Sequence, residues 1–178
     1  MTHPTQALHI PDTQSERDER HLAIQRVGVK DVRYPLRLRV AGAEQQTAAL
    51  WNLDVALPAE KKGTHMSRFV AWLDGLDAPL DAAVLRDKLG AMLTLLSASE
   101  GRIESRFSFF LRKRAPVSGV QSLLDYQGRW IAEARAGQTT VWTEVAVPVK
   151  SLCPCSKEIS DYGAHNQRST VTIRAETH

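Results

Sequence analysis

Residues 27–57 read VGVKDVRYPLRLRVAGAEQQTAALWNLDVAL, and this stretch decides the fold. Leu36, Leu38 and Val40 fall on one side of an extended chain and Arg37 and Arg39 on the other. After Ala41-Gly42-Ala43-Glu44, the period of two returns in Ala49, Trp51, Leu53, Val55 and Leu57, with Asn52 and Asp54 opposite. Alternation on both sides of a short glycine-containing turn predicts an antiparallel hairpin, which Pro58 ends.

Working outward, Pro79-Leu80-Asp81 opens a helix whose Leu85, Leu89, Met92, Leu93 and Leu96 share one face, with Gly101 to stop it. That apolar stripe is core. A shorter helix precedes it through Trp72 and Leu73, with Thr64 or Ser67 as its cap. From Arg102 the period is two again: Ile103, Phe107, Phe109 and Leu111 alternate with charged residues. A Pro116/Gly119 loop leads to a strand over about 122–134, and Gly137 turns the chain into Val141, Thr143, Val145, Val147 and Val149. A last strand covers Thr170 to Ala175. The order strand, strand, helix, helix, strand, strand, followed by two further strands, predicts an α+β fold with an antiparallel sheet.

Composition bounds the function. A chain of 178 residues that is 43% hydrophobic can bury a real core. Its 23 basic against 20 acidic residues give a net charge of +3, which suits an anionic ligand, and no dense basic stripe marks a nucleic-acid binder. No apolar run reaches the roughly 18 residues of a membrane span. Residues 1–20 are polar, lack the apolar segment of a signal peptide and read as an N-terminal arm, so a cytoplasmic protein is expected.

Reactive side chains concentrate in SLCPCSKEISDYGAHNQRS, residues 151–169. This segment has too little apolar content to be core and reads as a functional loop on a rigid scaffold. Cys153 and Cys155 flank Pro154, which favours an extended backbone, and a bridge between them would close a strained ring. Two small buried hydrophobes are the plain alternative. Thiolate with the imidazole of His165, however, is zinc-ligand chemistry, and a catalytic zinc takes three protein ligands and one water. A second stretch, KKGTHMSRF at residues 61–69, gathers Lys61, Lys62, His65 and Arg68 around a helix start whose free N–H groups suit phosphate. A solvated basic loop is the alternative there.

Three motifs, DTQSERDER (12–20) followed by IQRVGV (24–29), WNLDVALPAEKKGTHMSRF (51–69) and SLCPCSKEISDYGAHNQRS (151–169), resemble GTP cyclohydrolase I type B, with similarity from about Pro11 to Ala175. The resemblance implies a tunnelling fold of ββααββ units, here one full unit over residues 21–135 and the start of a second over 136–178. It further implies a homotetramer with active sites between subunits, and hydrolysis of GTP to 7,8-dihydroneopterin triphosphate and formate, the first step of folate biosynthesis. Cys153 and His165 match the family's ligands for a divalent metal, zinc or manganese. Cys155 matches a second active-site cysteine of open role.

The family's third ligand and its guanine-anchoring glutamate are expected beyond His178, so a truncated chain is expected; Glu158, Asp161 and Glu176 have no motif support as substitutes. The resemblance implies that Cys153 is catalytic; motif position and charge assign His65 to acid/base work and Lys62, Arg68, Lys157 and Arg168 as substrate-binding cations. Two other readings compete: a tunnelling-fold purine or pterin enzyme with a cysteine nucleophile, and an inactive fragment.

Overall fold

The computed structural model describes residues 14, 16, 17, 19–152, 158 and 166–177. The element order is β1 (Ile24–Val40), β2 (Ala43–Leu57), α1 (Met66–Asp74), α2 (Ala82–Leu95), β3 (Gly101–Arg114), β4 (Gln121–Arg135), β5 (Gln138–Leu152) and β6 (Asn166–Glu176). All six strands join in one antiparallel sheet in chain order. The expected α+β class is what the chain adopts, and β1 to β4 with their two helices form a ββααββ unit.

Two tight hairpins set the register. Val40 pairs with Ala43 and Arg135 with Gln138, each across two residues at positive φ: Ala41 (49°) with Gly42 (80°), and Ala136 (50°) with Gly137 (76°). Such mirror-image turns match the twist of the flanking strands.

The period-two residues become one buried sheet face. Leu38, Trp51, Leu53, Val55 and Ile103 are at most 1% exposed, and the helices lay Phe69, Trp72, Leu73, Leu85, Leu89 and Met92 onto them. Trp51 meets Trp72 edge-on at 6.1 Å, and the Trp72 Nε1–H donates to the Lys88 carbonyl at 3.2 Å, which ties α1 to α2. Asp81 caps α2 by accepting from the Val84 N–H at 3.0 Å. The cap of α1 differs from expectation. His65 is its N-cap residue, and its side chain makes no capping bond, so neither Thr64 nor Ser67 takes that role.

The backbone of Leu80 exchanges hydrogen bonds with β1, accepting from the Arg39 N–H at 2.9 Å and donating to the Arg37 carbonyl at 2.8 Å. Helix α1 therefore leaves the sheet end where β2 finishes and reaches the end where β1 finishes, and α2 returns to the start of β3 at Gly101. Among the described residues no helix is long and apolar enough to cross a membrane.

Candidate functional site

The 61–69 stretch and the described ends of the 151–169 stretch, Leu152 and Asn166, stand at opposite ends of the sheet. At the near end, β2 finishes at Leu57 and the chain turns into the 61–69 segment. Here Lys61 Nζ donates to the Ser97 carbonyl at 2.7 Å. Lys62 Nζ pairs with Glu16 Oε2 at 2.7 Å, and the Lys62 N–H donates to the Glu16 carbonyl. Arg68 Nη1 donates to the Leu95 carbonyl at 3.2 Å, satisfying an acceptor in the last turn of α2. The structure thus brings Lys62, His65 and Arg68 together around the start of α1, with both cations engaged inside the chain.

Arg168 lies elsewhere. Val55 pairs with Gly101, Gly101 with Ala134 and Ala134 with Thr139, which fixes the near-end level on β5. Lys150, the partner of Arg168, is eleven residues further along β5, roughly 35 Å at about 3.3 Å per residue. Within one chain Arg168 and the His65 cluster do not meet. Cys153, Cys155, Lys157, Asp161 and His165 lie outside the described residues, and Glu158 is exposed. Strands β5 and β6 stay paired up to Leu152 and Asn166, so the ends of the segment that carries Cys153 and His165 are held at one paired position. Among the described residues no group of three or more His, Cys, Asp or Glu side chains could hold a metal. A thiolate with an imidazole is a donor set that fits zinc.

The far end of the sheet is divided. Strands β4 and β5 pair only from Gln127 and Ala146 onward, whereas β3–β4 pairing continues to Arg114 and Gln121 and β5–β6 pairing to Leu152 and Asn166. Two hairpin arms therefore diverge. Between them is a cleft of about 420 Å³ whose banks include Leu124, Asp125 and Tyr126 on one arm and Lys150, Arg168 and Thr170 on the other.

The face away from the helices carries charge instead of core. Glu104, 8% exposed, accepts from Arg102 at 2.8 Å and from Arg129 at 3.1 Å. Arg129 also donates to Glu144 at 3.0 Å; Arg174 approaches Glu144 at 3.6 Å and lies over the Trp142 ring at 4.4 Å. Arg106 pairs with Asp31 on β1, so the ribbon of charge crosses from β1 to β6. Burial alone would push the Glu104 carboxyl up, but its hydrogen bonds to Arg129 and the charges of Arg129, Arg102 and Arg106 outweigh it and hold the carboxyl below its usual range. Asp54 goes the other way: burial raises it, Glu133 and Glu104 add to that, and Arg26 and Arg102 oppose it only in part.

Sequence reasoning missed Glu16 as the partner of Lys62, and missed that Lys150 stands beside Arg168 in the β5–β6 register.

Fold and site together define a tunnelling-type ββααββ protein with a basic helix start at one sheet end and a Cys/His-bearing segment rooted at the other. The chain belongs to the family described as type I GTP cyclohydrolase folE2, whose model matches residues 10–178. It is 74% identical over 183 residues to the GTP cyclohydrolase FolE2 of Methylibium petroleiphilum, covering 99% of this chain and 62% of that protein. It is 58% identical to that of Paraburkholderia xenovorans over 177 residues (99% and 66%), and 57% identical to GTP cyclohydrolase FolE2 2 of Cupriavidus metallidurans over 170 residues (96% and 64%). The chain spans just under two thirds of the length of these curated relatives.

Proposed function

We propose that the chain acts in a GTP cyclohydrolase I of the cytoplasm, which converts GTP and water into 7,8-dihydroneopterin triphosphate and formate. What carries this reading is the family match over residues 10–178, which takes in both the 61–69 and the 151–169 stretches. Cys153 and His165 would hold a divalent metal, zinc or manganese, and their thiolate and imidazole suit zinc. Such an ion, when bound, supplies Lewis acidity that makes water a nucleophile toward carbon 8 of guanine near neutral pH.

The chain's own residues do the rest. His65, at the start of α1, moves protons as the imidazole ring opens, formate leaves and the ribose-derived carbons close onto the amines. Arg168 and Lys157 bind the triphosphate from the side of the Cys/His segment. Lys62 and Arg68 reach the same substrate from the α1 side, Lys62 by exchanging Glu16 for phosphate oxygens. Arg168 and the start of α1 lie at opposite ends of one sheet, which supports a site assembled between subunits of a homotetramer.

The test is metal content by mass spectrometry together with formate release from GTP, on wild type beside Cys153→Ala. Near-stoichiometric metal and turnover that both vanish in Cys153→Ala are expected. Formate release that survives exhaustive chelation would overturn the metal reading in favour of a cysteine nucleophile.

A further inference from the structure

Lys150 and Arg168 are direct partners in the β5–β6 register, so their side chains leave the same face of the arm side by side. Like charges at such a position oppose strand pairing. On this face Arg26 has Asp54 and Glu133, Arg102 and Arg129 have Glu104, Arg106 has Asp31, and Arg174 has Glu144, whereas Arg33 and Arg112 are exposed cations outside these pairs and stand alone in their registers. Lys150 and Arg168 are exposed, and among the described residues neither enters an ion pair or a side-chain hydrogen bond. Both line the cleft of about 420 Å³ between the arms, where the edges of β4 before Gln127 and β5 after Ala146 are unpaired with each other. Unpaired strand edges expose backbone N–H groups, so the cleft combines two adjacent cations with main-chain donors.

We infer that Lys150 and Arg168 form a subsite for a polyphosphate chain. It rests on the reading above in that the polyphosphate is the triphosphate tail of GTP, and it adds Lys150 as a substrate-positioning residue. A polyphosphate fits better than a single phosphate because two cations from neighbouring strands meet successive phosphoryl groups, the guanidinium in bidentate fashion and the ammonium as a point charge. Asp125 on the opposite bank bears a negative charge, which directs the anion to the β5–β6 side of the cleft.

Calorimetric titration with inorganic tripolyphosphate, run beside orthophosphate, tests the subsite. Lys150→Gln and Arg168→Gln are each expected to weaken tripolyphosphate binding by about tenfold, whereas Arg112→Gln, an exposed arginine on the other arm, leaves it unchanged. Tripolyphosphate should raise the melting temperature of wild type but not of Lys150→Gln, which without anion melts at or above the wild-type temperature because the like-charge contact is gone.

Wild-type affinity for tripolyphosphate in Lys150→Gln would overturn the inference, as would equal affinity of wild type for orthophosphate and tripolyphosphate. The two readings fail separately. Tripolyphosphate binding that depends on Lys150, in a protein that releases no formate from GTP, supports the subsite and removes the cyclohydrolase. Formate release with an unchanged KM for GTP in Lys150→Gln does the reverse.

Discussion

Gln45 and Phe110 exchange two hydrogen bonds across the place where β2 and β3 part. Gln45 Nε2 donates to the Phe110 carbonyl at 2.7 Å, and the Phe110 N–H donates to Gln45 Oε1 at 2.9 Å. The last paired residues are Ala49 and Phe107. Beyond them the side-chain amide stands in for a strand peptide and satisfies a backbone that has lost its neighbour. Gln45→Ala is therefore expected to cost about 1 kcal/mol in denaturant melts and to speed amide exchange at Phe110 while leaving Ile103 protected. Unchanged exchange at Phe110 would show that the bond is not formed in solution.

Gly28 faces Asp54, and a Cβ built there would lie 1.9 Å from the Leu53 carbonyl oxygen and 2.7 Å from the Asp54 Cα. Both obstacles are backbone, so no rotamer change relieves them. Gly28→Ala should lose about 3 kcal/mol of stability. Gly90→Ala, whose Cβ meets nothing within 4 Å on a helix, should gain up to about 1 kcal/mol. Chemical denaturation of the two variants checks the pair.

Two carboxylates on the charged face respond to pH in opposite senses. Glu104 has a folded-state pKa below its ordinary value, so its contribution to stability is full above the unfolded pKa, near 4.3, and is lost as pH falls through the folded value. Glu104→Gln should cost about 2 kcal/mol at pH 7 and flatten the acid limb of the stability curve. Asp54 has a raised pKa, so its contribution is full below the unfolded value, near 3.9, and is lost as pH rises through the folded value. Asp54→Asn should leave stability at pH 7 equal or higher. Melts between pH 3 and pH 8 read both signs.

The separation of the two clusters predicts complementation. Arg68→Ala and Cys153→Ala should each be inactive or nearly so in formate release from GTP. When the two are unfolded together and reassembled in equal amounts, about a quarter of the sites would draw an intact α1 start from one chain and an intact Cys/His segment from another. Recovered activity near that fraction is expected. No recovery in mixed oligomers of demonstrated composition would place both clusters in a site built within one chain.

Much of the fold was legible because side-chain alternation is a local property. Leu36 and Leu38, the series Trp51, Leu53 and Val55, and the Leu85–Leu89–Met92 stripe each announce their element within a few residues, and all are buried where their period placed them. The sheet's continuity was not legible. Nothing near Arg135 states that β4 pairs β3 on one side and β5 on the other, or that β4 and β5 separate before Gln127. Strand partners are long-range, and they are selected by the packing of a whole face against α1 and α2.

For the site the division is similar. The sequence by itself determined which residue types are available: thiol and imidazole near one end of β5, cations around a helix start after β2. Tertiary structure alone decided that the start of α1 and the paired ends Leu152 and Asn166 stand at opposite ends of one sheet, that Lys62 is engaged by Glu16 from 46 positions away, and that Lys150 and Arg168 stand side by side in the register. A charge's partner depends on distance in space, and chain order carries no such distance until the strands have found their register.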